Sequence, residues 1–151
     1  MNKIITYVYT WLTTAGYKFG KTKKELAISL IQEEFDELKN AKTINEEIDA
    51  IIDLFWVILN YAFFVGISKE KLLEIEDEVK VSNFSKFCLT QTEALATIKA
   101  YSTGTHPDKK GICINTYYDK VEYDNTIFYV VERLEDNKTL KSINYKPVTS
   151  L

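Results

Sequence analysis

The stretch that most constrains this chain runs from Leu54 to Ile67 and carries no charge, and Ala50 to Ile67 contains only Asp53. As a helix the charge-free part would cover about 21 Å. The hydrocarbon of a bilayer is roughly 30 Å thick, so this segment is too short to span it. Water is no better a neighbour for it. The expectation is a helix covered by other helices of a bundle, or by a second chain.

The flanking sequence supplies those helices. A first helix is expected over about Lys3 to Ala15, with Tyr7, Trp11 and Leu12 on its apolar side, broken by Gly16 to Gly20. A second should run from Thr22, an N-cap with Glu25 three residues on, to about Lys42. Thr43 to Asn45 then connects to a third, which ends at Val65 before Gly66. Ser68 caps a fourth, reaching about Val81. Short connections between long helices imply antiparallel neighbours, so the spacing predicts a mainly α chain built on a four-helix bundle.

After Phe87 the pattern changes. Thr92 to Tyr101 suits one more short helix, and Ser102 to Gly111 is a loop with Gly104, Pro107 and Gly111. Runs rich in β-formers follow at Ile112 to Val121, Thr126 to Arg133 and Thr139 to Tyr145. Asp124-Asn125 and Asp136-Asn137 stand between them as turns. The expectation is a small antiparallel β extension in the same domain, with a helical core over 1–88 and the appended helix and sheet over 89–151. About 40 residues would be little core for a separate domain.

Bulk properties exclude several classes. A net charge of −3 gives no basic footprint for nucleic acid. Two cysteines, Cys88 and Cys113, neither build a disulfide scaffold nor suggest a zinc site. Lys3 is followed by a mixed run rather than a secretory core, so a reduced, cytoplasmic setting is expected. The lone His106, in the Gly/Pro loop without a Ser or Cys partner, reads as a surface residue.

The anomaly lies in the helices. On the second, Ala27, Leu30, Ile31, Glu34, Glu37, Leu38 and Ala41 share one stripe, with Glu33 at its edge. On the third, Asp49, Ile52, Asp53, Trp56, Asn60 and Phe63 follow at helical spacing. A Glu-x-x-Glu taken alone is ordinarily a solvated face, and Asp49 near a helix start favours the dipole anyway. Two acidic pairs on the apolar stripes of successive helices are a different matter. Buried and ionised without a partner, each carboxylate would cost several kcal/mol. The stripes offer no Lys or Arg, so a cation between the helices is expected. Hard oxygen ligands select Mg²⁺ or Mn²⁺ over zinc.

These residues resemble a known family. Ile31-Gln-Glu-Glu-Phe-Asp-Glu-Leu38, Asp49-Ala-Ile-Ile-Asp53 with Gly66-Ile67 beyond, and Glu78-Val-Lys-Val-Ser-Asn-Phe-Ser-Lys86 are similar to the MazG-like all-α nucleoside triphosphate pyrophosphohydrolases. The likeness is closer to a branch frequent in phages and labelled phosphoribosyl-ATP pyrophosphohydrolase-like, whose ending Lys138-Thr-Leu-Lys-Ser-Ile-Asn-Tyr145 also resembles. The broad family places a glutamate three residues before the metal-binding aspartate, and here that position is Ala50, with Asp49 taking over on the same face.

The resemblance implies a MazG-like four-helix bundle that cleaves between the α and β phosphates of a nucleotide, releasing a monophosphate and pyrophosphate. It further implies Glu34, Glu37, Asp49 and Asp53 as ligands of Mg²⁺ (or Mn²⁺). Glu33, Glu34 or Glu37 would orient the attacking water, and Asn60, Asn83, Lys86 and Lys141 would contact substrate. A homodimer or homotetramer is expected, because the third helix is hydrophobic nearly all round. Two rivals are a protein that sequesters a nucleotide without turnover, for instance a phage protein in its host's cytoplasm, and a purely structural helical module.

Overall fold

The structure is a computed structural model that describes residues 2–21, 23–108 and 111–149. Five helices precede a three-stranded sheet: α1 (Asn2–Thr14), α2 (Lys24–Asn40), α3 (Ile44–Phe64), α4 (Lys69–Phe84), α5 (Gln91–Thr103), β1 (Thr116–Tyr123), β2 (Thr126–Arg133) and β3 (Lys138–Thr139). The chain divides into two compact units, residues 1–74 and 75–151. No helix among the described residues is long and apolar enough to cross a membrane.

In the first unit α2 and α1 both pack against α3. Ile5, Val8, Tyr9 and Leu12 of α1 recur at helical spacing and are buried together with Ala27 of α2 and Leu59, Phe63 and Phe64 of α3. The ends of α3 are set locally. Thr43 accepts from the Glu46 backbone N–H while the Glu46 carboxylate reaches back to the Thr43 N–H, closing a capping box. At the other end Gly66 adopts φ 83°. A Cβ on Gly66 would stand 3.4 Å from the Gly20 Cα, and Gly20 N–H donates to Phe63 O at 3.0 Å, so two glycines permit the loops to touch here. Tyr9 Oη donates to Ile67 O at 2.6 Å. Burial, and then the nearby Glu70, push its phenol up to about 12.

Leu12 is 1% exposed in this core. Leu12→Ala is expected to cost about 2–5 kcal/mol of unfolding free energy, read from urea denaturation.

The second unit packs α5 on β2 and β1. The sheet is antiparallel in the order β1-β2-β3. Asp124 and Asn125, both at positive φ, turn β1 into β2 and pair Tyr123 with Thr126. Cys88, Ala94, Tyr101, Cys113, Val131 and Leu140 form its core, with no disulfide. Thr90 caps α5 and Gly104 closes it in the left-handed conformation.

A four-helix bundle is not what forms. The apolar residues of α4 divide between two sides, Leu72, Ile75 and Val79 on one and Leu73, Val81 and Phe84 on the other, so a helix otherwise rich in Lys and Glu has no single broad apolar face. Leu72 and Leu73 pack against the first unit's core, and the division between the two units falls within α4, after Glu74. The fifth helix belongs to the sheet. The expected third strand is also cut short, since Ser142 N–H donates to Lys86 O and Ile143 N–H to Thr97 Oγ1, drawing the chain away from β2. His106 is buried rather than on the surface, its ring stacked on Tyr101 at 4.1 Å. The expected cap Thr22 lies outside the described residues.

Candidate functional site

The α2–α3 pairing does bring the sequence-predicted carboxylates together. Glu34 and Glu37 project from the side of α2 that carries the buried Ala27, and Asp49 and Asp53 from the side of α3 that carries the buried Asn60. Glu34 is the centre of the group. Its carboxyl is held above the usual range, first by desolvation and then by the negative charges of Glu37, Asp53, Glu33 and Asp49. Glu37, Asp53, Glu33 and Asp49 all act in the same direction because all four are negative.

The expectation of burial is corrected. Glu33, Glu37, Asp49 and Asp53 are exposed and Glu34 is half-buried. The apolar stripes were supposed to be covered on all sides, but in the single chain much of that surface is open: Ile44, Ile48, Ile51, Phe55 and Ile58 of α3 are all at least 41% exposed. Among the described residues no three carboxylate, histidine or cysteine side chains stand close enough to hold an ion as they are placed. Holding one would require these exposed side chains to swing inward. The donor chemistry fits such an ion, being all hard oxygen.

Glu37 and Asp49 also line a small cleft of about 280 Å³ with Asn40, Ala41 and Glu46. Glu46 is committed there as the cap of α3. Asn60, on the face of Asp53, is 7% exposed, and its Oδ1 has no hydrogen-bond partner. A buried carbonyl oxygen without a donor costs about 1–3 kcal/mol.

A pH dependence follows from Glu34. Because its folded value is raised, the folded chain keeps this proton to higher pH than the unfolded chain does, so its contribution turns unfavourable as pH rises through the carboxylate range. Glu34→Gln is expected to raise the Tm by a few degrees at neutral pH without divalent ions. The gain should vanish at about pH 3, where the parent carboxyl is itself protonated. Thermal unfolding followed by circular dichroism at both pH values checks this.

The remaining predicted contacts, Asn83, Lys86 and Lys141, belong to the second unit. Lys86 Nζ donates to Asn83 Oδ1 at 2.6 Å. Lys141 pairs with Asp108 and lies 3.9 Å from the Tyr145 ring centre. Lys86 and Lys141 line one cleft together with Tyr101, Asp108, Arg133 and Lys138. Sequence reasoning missed these last four. The signal it had was slight, namely two basic residues bracketing the Asp136-Asn137 turn.

No family model, curated protein or solved structure matches this chain.

Proposed function

We propose that this chain is a divalent-metal-dependent nucleotide pyrophosphohydrolase, cleaving a nucleoside triphosphate or related nucleotide to a monophosphate and pyrophosphate. The carrying observation is Glu34, a half-buried carboxyl with Glu33, Glu37, Asp49 and Asp53 all near enough for their charges to act on it. Stability alone gives no reason to gather five carboxylates on two packed helices. An ion that neutralises them does.

Glu34, Glu37, Asp49 and Asp53 would hold the ion, with Mg²⁺ or Mn²⁺ preferred by their oxygen donors. The chemistry such an ion would supply there is to offset the charge that develops on the phosphate oxygens. Glu33, Glu34 or Glu37 would orient a water for in-line attack and accept its proton. The orphaned Asn60 Oδ1 would take a donor from base or sugar. The open apolar stripe of α3 supports a homodimer or homotetramer.

A second reading, sequestration without turnover, is favoured by Ala50. It stands where the family's glutamate would, and it is 4% exposed, packed rather than available for a ligand. Incubation with Mg²⁺ and a panel of canonical and modified nucleotides separates the two. Release of pyrophosphate and monophosphate supports the enzyme. Tight retention of intact nucleotide without Mg²⁺ supports sequestration and rejects turnover.

A further inference from the structure

The second unit builds a cationic cleft that the carboxylate chemistry does not explain. Lys86, Arg133, Lys138 and Lys141 converge on a space of about 310 Å³. The backbone enforces the convergence. Arg133 and Lys138 are directly opposed across the β2–β3 pair, and Ser142 N–H to Lys86 O, at 2.9 Å, ties the tail beside Lys86. Like charges directly opposite on adjacent strands repel, so this pairing works against the sheet.

The local carboxylates relieve only part of that charge. Arg133 donates to both oxygens of Asp136, at 2.9 and 2.6 Å. Lys141 is paired with Asp108. Lys86 meets only the neutral Asn83, and Lys138 forms no ion pair among the described residues. Asp108, Asp136 and Glu135, which also acts on Arg133, stand against four cations and leave a surplus of one positive charge. A phosphate monoester near neutral pH carries about two negative charges. The cleft lies at the lower end of the range for small-ligand pockets, ~300–1,000 Å³, which suits a metabolite rather than a macromolecule.

We propose that this cleft binds the phosphate group of a small phosphorylated ligand directly, without a metal ion. It lies wholly within the second unit and needs none of the α2–α3 carboxylates. Lys138 and Lys86 supply charge outside those ion pairs, and Arg133, already oriented by Asp136, supplies a fixed fork of donors.

Calorimetric titration of the full chain in EDTA, with inorganic phosphate and with adenosine monophosphate, tests this. Saturable binding of at least one of them, one per chain, is expected, weakening as NaCl is raised. Lys138→Gln should reduce the affinity about tenfold, the loss expected for one charge-assisted hydrogen bond. Asp108→Asn should tighten binding severalfold by freeing Lys141, a gain that a misfolded variant cannot imitate. Lys99→Gln, an exposed residue outside the cleft, should change nothing. Asp53→Asn should also bind normally, which separates this cleft from the carboxylate site. No saturable binding of either anion would overturn the proposal. So would an unchanged affinity in Lys138→Gln, or binding lost in Asp53→Asn.

Discussion

Asp53→Asn is expected to abolish Mg²⁺-dependent pyrophosphate release, lowering kcat/KM at least a hundredfold, or about 3 kcal/mol of transition-state stabilisation. The substitution preserves shape and removes one charge. Asp53 is exposed and makes no ion pair among the described residues, so the fold loses nothing by it. It also sheds one of the negative charges that raise Glu34, so the Tm without metal should rise slightly. Mg²⁺ should raise the Tm of the parent, since anything that binds the folded chain alone stabilises it, and this rise should shrink in the variant. The combination is diagnostic: a more stable protein that has lost both metal response and turnover. Turnover within a few-fold of the parent would mean that Asp53 holds no catalytic ion.

The second large effect concerns assembly. Ile44, Ile48, Ile51, Phe55 and Ile58 repeat at alternating steps of four and three along α3, a continuous apolar stripe left open in the single chain. Tyr7 and Trp11 on α1, and Ile28 and Phe35 on α2, are open as well. So much exposed aliphatic and aromatic surface is what the proposed homo-oligomer would cover. The parent is expected to sediment as a dimer or tetramer of the 17.5 kDa chain. The double variant Ile51→Glu/Phe55→Glu is expected to sediment as a monomer, because a carboxylate buried without a partner costs several kcal/mol. Both side chains are at least 41% exposed in the isolated chain, so its far-UV circular dichroism should be unchanged. A parent that is already monomeric at micromolar concentration would leave this stripe without a role in assembly.

The parts of the fold readable from the sequence were those decided within a turn or two of the chain. The Ser68 hydroxyl accepting from Lys71 N–H, Gly66 as a helix stop, and Asp124-Asn125 as a hairpin turn all depend on neighbours in sequence, whereas Thr43, read as part of a connection, proves to be the cap of α3. What failed depended on distant contacts. Short loops suggested that α4 would close a bundle, but closure needs a single broad apolar face that its divided leucines and valines do not make. Periodicity placed His106 in a polar loop, and only the fold reveals Tyr101 beneath it. The grouping of Glu34, Glu37, Asp49 and Asp53 followed from helical spacing plus one antiparallel pairing. Their burial did not, because the same spacing cannot tell a stripe covered by its own chain from one left open. The cationic cleft was hidden for a related reason: its four charges come from three separate segments, joined by strand register and one backbone hydrogen bond.

Manganese titration followed by electron paramagnetic resonance addresses the central question directly, namely whether the facing carboxylates of α2 and α3 hold a divalent ion. The expected result is saturable quenching of the free-ion signal by the parent, competed by Mg²⁺ and lost in Asp53→Asn and Glu34→Gln. An unquenched signal in the parent, or quenching that survives in both variants, would contradict it.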